Sequence, residues 1–579
     1  MQQESEAART ARILVEELVA SGVEAACISP GSRSTPLTLA FADHPDAKVF
    51  SHIDERAGSF FALGLAKTSR KPVALVCTSG TALANYFPAI IEASLSRVPL
   101  IVLSADRPPE LHDCGANQTI HQQEIFGSYV RFASNVAASM AEPSGERALR
   151  RLADRVVAEA CSVRSGPVHL NCEFREPFGP RIVPSPPDQD GKGAREPNTR
   201  THQVRGFSGD VPADVIDLLA GARRPLIVMG PTVLDAGETE AGLRNLAGRV
   251  GAAIFAEATA NVRGLQPEDG RVDAYDALLR GGQPKELPDL LVRIGDLPTS
   301  KAVGQFLMSC AEIPQMILAE NGEWPDPAAT ATHLISGPLA PILATIAESL
   351  PENADRSAWA AGWVAAGLEA RGRLDRYLDT TEPVEGTILR SVVQALPREA
   401  ALFVGNSISV RDLDLFCASG SDSPEVLVSR GASGIDGLVS TIFGVSAGHS
   451  GATVGVLGDV SFLHDAGGLL AATRADARAV LVVLDNDGGG IFDHLPLAGE
   501  GHPAFEDLFV TSHGRSIAEI SRSYGVASTE VRAEQFPDAL QAALSSGESH
   551  VLVVRIERRE SLAAHREIGT LLSQVSGWN

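Results

Sequence analysis

The sequence has little of several features that mark other classes of protein. Its seven cysteines are scattered through 579 residues without a Cys-X-X-Cys pair, so neither a disulfide framework nor a zinc site is expected. Positive charge is scarce: 49 Lys and Arg stand against 72 Asp and Glu, a net charge of −23, which argues against broad binding to nucleic acid. No apolar run approaches the roughly 18 residues that a membrane span requires. Residues 1–22 also lack the uninterrupted apolar core of a signal peptide, so we expect a cytoplasmic protein.

What the sequence does contain is an alternation of short apolar runs with helical patterns. Representative runs are residues 72–77, 98–103, 225–229, 454–457, 479–484 and 551–556. Strands that are apolar throughout are typical of a parallel sheet covered on both faces, and their alternation with helices predicts doubly wound α/β domains. A segment rich in Pro, Gly and charge predicts a linker at 183–204. The sequence therefore predicts three α/β domains with parallel sheets, at 1–182, 205–350 and 351–579.

The most specific local pattern is Gly458-Asp459, followed 27 residues later (486 − 459) by Asn486. Each part follows an apolar run, so both side chains are expected at the carboxyl ends of parallel strands, where open α/β sheets bind ligands. A carboxylate, an amide oxygen and a backbone carbonyl freed by a tight turn at Gly488 suit Mg²⁺ bridging a diphosphate. Taken singly, each part is also an ordinary loop feature. The spacing resembles the metal motif of thiamine-diphosphate enzymes, with Val460 and Asp485 where Gly and Asn are usual.

A second candidate constellation lies near the N-terminus. Such a cofactor needs a carboxylic acid that hydrogen-bonds to its aminopyrimidine ring, and Glu55 follows the strand-like run 49–53. The alternative is that Glu55 belongs to a charge cluster at the start of a helix. Segments 29–36 and 78–81 each follow an apolar run with hydroxyl groups and a Gly turn. These two segments are interpreted as anion-binding loops or, alternatively, as capped helix starts without a ligand.

Several longer segments, in this order, resemble one family closely. In the first domain they are SPGSRSTPLTLA (29–40), DERAG (54–58), TSGTALAN (78–85) and SADRPPELHDCGANQTI (104–120). In the last domain they are GNSISVRDLD (405–414), SRGASGIDGLVST (429–441), GDVSFLHD (458–465) and DNDGGGIF (485–492). These segments resemble the 2-succinyl-5-enolpyruvyl-6-hydroxy-3-cyclohexene-1-carboxylate synthases, a family of thiamine-diphosphate enzymes. The resemblance spans the first and last domains and is thin in the central one.

The resemblance implies a role for each matching residue. Glu55 would activate the cofactor, and Asp459, Asn486 and the Gly488 carbonyl would hold Mg²⁺ or Mn²⁺ and the diphosphate. Further contacts to the cofactor would come from Thr78, Gly80, Ser407, Ile435 and Gly458, with Ile435 as an apolar wedge. The isochorismate site would contain Ser32, Arg33, Arg107, Asn117, Gln118 and Lys301, although Ala302 departs from members that have Arg there. The 2-oxoglutarate side would contain Ser407, Arg411 and Arg430, with Ile491 and Phe492 as apolar walls.

The reaction implied by the resemblance is a transfer in menaquinone biosynthesis. 2-Oxoglutarate is decarboxylated, and the resulting succinyl carbanion adds in 1,4 fashion to isochorismate. Both substrates are dianions, and the planar fork of Arg binds carboxylates bidentately, which favours the four arginines above for their recognition. In the family the site is completed across a subunit interface, so a homodimer or homotetramer is expected.

Three other interpretations remain open at this level. A different thiamine-diphosphate lyase, such as an acetolactate-forming enzyme, would share Glu55 and the metal motif but would not need four arginines for two dianions. A nicotinamide or flavin oxidoreductase is disfavoured because no Gly-X-Gly-X-X-Gly follows the strand-like runs. A non-catalytic protein that kept the fold is disfavoured by the intact Glu55, Asp459 and Asn486. His464 is interpreted as a structural or solvent-facing residue rather than a general base.

Overall fold

The computed structural model describes residues 5–137, 143–176, 178, 211–232, 236–320, 323–351, 358–418, 420, 422–575 and 578. Within them lie three separate sheets whose strands all pair in parallel. The predicted α/β class with parallel sheets is therefore confirmed. The predicted linker, 183–204, lies outside the described residues, and the domain boundaries stay predictions.

The first sheet has six strands in the order β2-β1-β3-β4-β6-β5. Its strands are β1 (Ala25–Ile28), β2 (Lys48–Ser51), β3 (Val73–Cys77), β4 (Leu100–Asp106), β5 (Ala133–Ala137) and β6 (Val168–Glu173). Its helices are α1 (Glu6–Ala20), α2 (Thr35–Ala42), α3 (Glu55–Ser69), α4 (Thr81–Ala84), α5 (Phe87–Leu95) and α6 (Pro143–Ala160). We call this sheet with its helices the first unit.

The central unit has five strands in the order β11-β10-β9-β7-β8. They are β7 (Pro225–Met229), β8 (Ala253–Ala256), β9 (Leu290–Ile294), β10 (Gln315–Ala319) and β11 (His333–Ser336). The helices around them are α7 (Ala213–Gly221), α8 (Ala236–Val250), α9 (Tyr275–Gly281), α10 (Lys301–Ser309) and α11 (Leu339–Ser349).

The last unit has six strands in the order β13-β12-β14-β15-β17-β16. They are β12 (Ala401–Val404), β13 (Glu425–Leu427), β14 (Thr453–Gly458), β15 (Val480–Asp485), β16 (Ala527–Val531) and β17 (His550–Arg555). The helices are α12 (Ala358–Leu378), α13 (Glu385–Ala395), α14 (Ser409–Phe416), α15 (Leu438–Gly448), α16 (Asp459–His464), α17 (Leu470–Arg474), α18 (Pro496–Gly499), α19 (Ile517–Ser523), α20 (Phe536–Ser546) and α21 (Arg558–Leu572).

Helices cover both faces of each sheet. Because successive residues of a strand point to opposite sides, one strand contributes side chains to the apolar clusters on both faces. In β3, Leu75 belongs to a cluster with α3 and α5, whereas Ala74 and Val76 belong to a cluster with α1, α2 and α6. All five residues of β3 are buried, which explains why the run is apolar without alternation. The apolar runs that predicted doubly wound sheets are thus explained by burial of the strands on both faces.

Shared apolar clusters join the last unit to both other units. One cluster combines residues from the first and last sheets with α3 and α15, which pack against each other. Another combines the central and last sheets around Trp363 of α12 and Trp578. All seven cysteines are free, as expected from their scattered positions. In the described part of the chain, no helix is both long and apolar enough for a bilayer crossing.

Candidate active site

Asp459 and Asn486 emerge from neighbouring strands at the same edge of the last sheet. β14 ends at Gly458, so Asp459 is the first residue of α16, and Asn486 follows the last residue of β15. The two strands pair directly, with Gly458 opposite Leu484. The Asp459 carboxylate is 2% exposed, and burial raises its pKa. A cation at this edge would favour the charged carboxylate and offset the cost of burying it.

The amide of Asn486 is held by one hydrogen bond that leaves its oxygen free. Its Nδ2 donates to Oε1 of Glu385 over 3.0 Å, while its Oδ1 is buried and has no partner among the described atoms. A buried acceptor without a donor is costly, so such an atom points to a ligand. The donor set of a carboxylate and an amide oxygen fits Mg²⁺ or Mn²⁺, as the sequence predicted.

Gly488 allows the loop after β15 to turn back towards Asp459. Its φ is 144°, and a Cβ at this position would lie 2.4 Å from the carbonyl oxygen of Val510. Its N–H donates to Asp459 Oδ2 over 2.9 Å, and its carbonyl accepts from Gly490 N. The turn therefore brings the backbone of Gly488 to the predicted metal edge, which a side chain would prevent.

His513 also contacts Asp459, although the sequence did not predict it. Its Nε2 lies 3.1 Å from Asp459 Oδ2, and its Nδ1 accepts a hydrogen bond from Arg515 N over 3.0 Å. Because Nδ1 is an acceptor here, the proton of a neutral ring belongs on Nε2, which then donates to the carboxylate. Asp459, Asp485 and His513 together place one candidate ligand atom each within 4.8 Å of the others.

The negative charge that Asp485 adds at this edge is paired. Its Oδ2 lies 2.7 Å from Arg555 Nη1, and its Oδ1 accepts from Asp487 N over 3.2 Å. The strand partner of Asp485 in β17 is Arg555, so the register of the sheet brings the two charges together. The departure from the usual Asn is thus compensated by a neighbouring strand.

Glu55 is the first residue of α3 and lies at the carboxyl edge of the first sheet. The preceding Asp54 caps this helix by accepting hydrogen bonds from Arg56 N at 2.8 Å and Ala57 N at 3.4 Å. Glu55 is therefore not needed for capping. Burial and then the Glu55 charge raise the pKa of Cys77, the last residue of β3. Glu55 also lies in the first turn of α3 beside Asp54 and Arg56, which is the arrangement that the alternative of a helix-start charge cluster requires.

Arg33 and Arg107 form a pair of cations on the first unit. Burial and then Arg107 lower the pKa of Arg33, which is 7% exposed. Arg33 donates to the carbonyl oxygen of Phe174 and its guanidinium stacks on Phe178, while its Nε is buried without a partner. Arg107 donates to the hydroxyl of Ser79. Two guanidinium groups whose charges disfavour each other are suited to an anion with more than one negative charge.

Arg411 and Arg430 form a similar pair on the last unit. Burial and then Arg411 lower the pKa of Arg430, and burial lowers that of Arg411. Arg430 Nη1 donates to Asn406 Oδ1 over 2.9 Å, and Arg411 donates to the carbonyl oxygen of Ser407. Asn406 Nδ2 in turn donates to the carbonyl oxygens of Ser429 and Gly434. This asparagine links the loop after β12 to the loop that carries Arg430.

The loops after β1, β3 and β4 meet one another on the first unit. A Cβ on Gly31 would overlap Thr78, Gly80 N donates to Gln122, and Gln118 Nε2 donates to Ser79 O over 2.9 Å. Ser32 and Asn117 are exposed near these loops. The structure thus brings the predicted isochorismate residues of this unit into one region.

Other predicted residues are less closely connected. Lys301 is exposed at the start of α10, and no hydrogen bond or ion pair of the described residues joins it to the other site residues. Ile435 is half-buried two residues before Gly437, which precedes α15. Ile491 and Phe492 are half-buried in a 3-10 turn, where the Phe492 ring contacts Phe509. His464 is exposed, and its carbonyl accepts from Arg56 Nη2, in agreement with its structural interpretation.

Among the predicted site residues, a cavity of about 910 Å³ includes only Arg430 in its lining. Residues of all three units line it, including Lys67, Asn261 and Arg430, whereas Glu55, Asp459 and Asn486 do not. The candidate site is therefore assigned from the contacts of Glu55, Asp459 and Asn486 and not from the position of this cavity.

Sequence reasoning missed three residues that support the predicted site residues. Glu385, Asn406 and His513 each contact a predicted site residue directly. Asn406 adjoins the predicted Ser407, so its place in a motif segment was an available signal. Glu385 and His513 lie 101 and 54 positions from their partners, and no local pattern marks them.

Comparisons with known proteins agree with this geometry. Residues 8–125 match the thiamine pyrophosphate enzyme N-terminal TPP binding domain, and residues 421–554 match the corresponding C-terminal TPP binding domain. A Rhodococcus jostii thiamine diphosphate-dependent 4-hydroxybenzoylformate decarboxylase shares the fold, with a TM-score of 0.66 at 17% identity over 95% of this chain and 99% of that one.

Curated relatives match over nearly the whole length. The 2-succinyl-5-enolpyruvyl-6-hydroxy-3-cyclohexene-1-carboxylate synthase of Haloarcula marismortui is 40% identical over 96% of both chains. The synthase of the same name from Geobacillus kaustophilus is also 40% identical over 96% of both chains. This chain therefore belongs to the family of 2-succinyl-5-enolpyruvyl-6-hydroxy-3-cyclohexene-1-carboxylate synthases, which are thiamine-diphosphate-dependent enzymes.

Proposed function

We propose that this enzyme decarboxylates 2-oxoglutarate and adds the resulting succinyl unit in 1,4 fashion to isochorismate. The products are 2-succinyl-5-enolpyruvyl-6-hydroxy-3-cyclohexene-1-carboxylate and CO₂, a transfer that belongs to menaquinone biosynthesis. The observation that carries the substrate assignment is the presence of two arginine pairs, Arg33 with Arg107 and Arg411 with Arg430, on different units. Two dianionic substrates need two such cationic sites, and a protein of net charge −23 has to provide them locally.

The residues at the metal edge fit the diphosphate end of the cofactor. Asp459, the free Oδ1 of Asn486 and the Gly488 carbonyl would hold Mg²⁺ or Mn²⁺ there, and Gly458 next to them has open space where a side chain would stand. When bound, thiamine diphosphate supplies the electron sink for the decarboxylation. Thr78, Gly80 and Ser407 are further candidate contacts, and Ile435 is the proposed apolar wedge beneath the cofactor.

The chain's own residues would position substrates and move one proton. Glu55 would hold a proton on its carboxyl oxygen, shared with the pyrimidine nitrogen of the cofactor. Arg411, Arg430 and Ser407 would orient 2-oxoglutarate through its distal carboxylate. Isochorismate would be bound by Arg33 and Arg107, together with Ser32, Asn117, Gln118 and Lys301. Ile491 and Phe492 would exclude water from the reacting carbon, which protects a carbanion from protonation.

We further propose that the active form is a homodimer or homotetramer working in the cytoplasm. Ile53, two residues before Glu55, is 59% exposed, and a second copy would cover this apolar side chain. The domain boundaries proposed for each copy are 1–182, 205–350 and 351–579. Light scattering coupled to gel filtration measures the mass of the particle and tests this assembly.

The decisive experiment follows isochorismate absorbance in the presence of thiamine diphosphate, Mg²⁺ and 2-oxoglutarate. We expect cofactor-dependent loss of isochorismate and a succinylated product by mass spectrometry. Glu55→Gln should reduce the rate by roughly 10²–10⁴-fold, the contribution typical of a positioned proton-transfer group. A calorimetric titration should show that this variant still binds the cofactor with Mg²⁺.

Other outcomes separate the alternatives. If 2-oxoglutarate is decarboxylated while isochorismate persists, the acceptor is wrong and another thiamine-diphosphate lyase becomes the better description. If the cofactor binds and neither substrate is consumed, a non-catalytic protein becomes the better description. A Glu55→Gln variant with wild-type activity would contradict the role given to that residue.

A further inference from the structure

The loop that carries Arg430 is fastened to the first unit by a buried carboxylate. Glu92 of α5 is 3% exposed and lies about 340 positions away along the chain. Its Oε1 accepts a hydrogen bond from Gly431 N over 3.0 Å, and its Oε2 accepts one from Ala432 N over 2.7 Å. Each carboxylate oxygen thus binds one of the two consecutive backbone N–H groups that follow Arg430.

Lys67 of α3 fastens the other side of the same loop. Its Nζ donates to the carbonyl oxygen of Val428 over 2.8 Å and lies 3.7 Å from Glu92 Oε1. Both side chains of this ion pair are at most 11% exposed. We name Glu92 and Lys67 together the interunit clamp, because each contacts the other and each holds one end of residues 428–432.

The packing of Gly431 shows independently that the loop rests directly on α5. A Cβ at Gly431 would lie 2.7 Å from Ser96 Oγ, 2.8 Å from Glu92 O and 2.9 Å from Leu95 Cβ. Only glycine permits this approach, so the sequence of the loop is adapted to the end of α5. Ser96 Oγ itself donates to Glu92 Oε1 and restrains the carboxylate.

We propose that Glu92 is a positioning residue that fixes Arg430 for the distal carboxylate of 2-oxoglutarate. This inference rests on the proposed function, because it assigns Arg430 to that substrate. Between its two clamped ends, Arg430 is directed to Asn406, next to Ser407. The first unit thereby controls the geometry of a substrate site on the last unit. Fixing a guanidinium before the substrate arrives reduces the entropy lost when it binds.

The test compares the full-length enzyme with Glu92→Gln and Glu17→Gln. Gln keeps the size of Glu but presents an NH₂ group to one of the two backbone N–H donors. We expect the KM for 2-oxoglutarate to rise about tenfold or more, the cost of losing a hydrogen bond to a charged acceptor. The KM for isochorismate should stay within about twofold, because Arg33 and Arg107 bond to Phe174 and Ser79 and not to Glu92 or its loop. Glu17 is a matched control: it is 1% exposed on α1 and ion-paired with Arg150, away from the loop.

A double-mutant cycle distinguishes positioning of Arg430 from a general structural effect. If Glu92 acts through Arg430, then Glu92→Gln should change the 2-oxoglutarate KM by less than about twofold in an Arg430→Ala background. Lys67→Met should resemble Glu92→Gln in the wild-type background. Additive effects of Glu92→Gln and Arg430→Ala, or equal increases in KM for both substrates, would overturn the proposal.

Hydrogen exchange gives a reading that does not depend on turnover. The amides of Gly431 and Ala432 should exchange faster in Glu92→Gln and at the wild-type rate in Glu17→Gln. Unchanged exchange in residues 428–434 would refute the clamp even if the enzyme is active. If the wild-type protein consumes neither substrate but the exchange result holds, the clamp exists and the proposed function has failed.

Discussion

The first and last units have the same sheet topology but different chemistry at corresponding positions. Counted within each unit, both sheets have the strand order 2-1-3-4-6-5, whereas the central sheet differs. After the first strand of each lies an arginine segment, with Arg33 following β1 and Arg411 following β12. After the second strand lie Glu55 in the first unit and Arg430 in the last. After the third strand lie Thr78 and Asp459.

The two units therefore share the positions of their loops relative to the strands, and the residue at each position determines the chemistry of that loop. The second strand of each sheet leads into a long apolar helix, α3 or α15, and these two helices pack on each other. Within each sheet, parallel strands direct these loops to one edge, which is where α/β sheets bind ligands. A carboxylic acid there suits proton transfer and a guanidinium there suits a substrate carboxylate, although the backbone path is the same.

The largest of these effects tests the metal edge, for which the described residues of the first unit offer no counterpart. Asp459→Asn should weaken cofactor binding in the presence of Mg²⁺ by roughly 100-fold or more, since losing a ligand should exceed the 10–100-fold cost of losing a supporting partner. Isothermal titration calorimetry measures this affinity. Asp485→Asn, next to the site but paired with Arg555, should change it only a few-fold. Equal losses in the two variants would mean that Asp459 has no special role.

The arginine pairs provide a reciprocal test of the two units. Arg33→Met should raise the KM for isochorismate by about 10–100-fold and leave that for 2-oxoglutarate nearly unchanged, because a charge-assisted hydrogen bond is lost at one site. Arg411→Met should do the reverse. Steady-state kinetics with each substrate varied in turn gives both values. The same substrate being affected by both variants would contradict the assignment of one pair to each substrate.

A smaller effect on Mg²⁺ affinity is expected from substitution of Glu385, which accepts the hydrogen bond of Asn486 Nδ2. Glu385→Leu removes the acceptor for Asn486 Nδ2, so the amide can rotate and its oxygen no longer points consistently to the metal. The Mg²⁺ affinity of the enzyme with cofactor should fall about tenfold, measured by calorimetric titration of the metal. Glu385→Gln retains an oxygen acceptor and should bind Mg²⁺ within about threefold of wild type. A full loss in the Gln variant would indicate that charge, not orientation, matters.

The last prediction concerns stability, where His169, which is buried, and His565, which is partly buried, behave in opposite ways. Burial lowers the pKa of His169 in the first sheet to about 3. Burial lowers the pKa of His565 in the last unit, but the charge and hydrogen bond of Asp412, 2.7 Å away, and a hydrogen bond to Ser561 together raise it from 6.5 to about 9. His565 therefore stabilises the fold fully below pH about 6.5, and this contribution is lost as pH rises towards 9. His169 removes stability as pH falls below 6.5.

Urea unfolding followed by circular dichroism from pH 4 to 9 measures how each histidine changes the free energy of unfolding. Each should contribute a slope of up to about 1.4 kcal/mol per pH unit, of opposite sign and in its own pH range. His565→Gln should flatten the slope between pH 6.5 and 9 without affecting the acidic side. His169→Gln should do the opposite, and an unchanged profile in either variant would refute the corresponding assignment.

Much of the fold was predictable because buried parallel strands have a simple sequence pattern. Strand β7 has the bounds of its apolar run, and β15 extends from Val480 to Asp485 beside the predicted run 479–484. The grouping of Arg33 with Arg107, and of Arg411 with Arg430, was expected only from the family resemblance. What local patterns could not predict is the support for these residues, such as Glu92 beneath Arg430 or Glu385 beside Asn486.

The sequence by itself determined the three-sheet architecture and the strand ends at which Glu55, Asp459 and Asn486 emerge. Apolar period, turn residues and strand ends are local properties, and parallel pairing of β14 with β15 brings Asp459 and Asn486 to one edge of the last sheet. Only the tertiary structure decided which charges are paired, as with Asp485 and Arg555 across two strands. It also decided that a carboxylate on α5 holds a loop of another unit, since such a contact depends on how the sheets pack and not on any neighbouring residue in the chain.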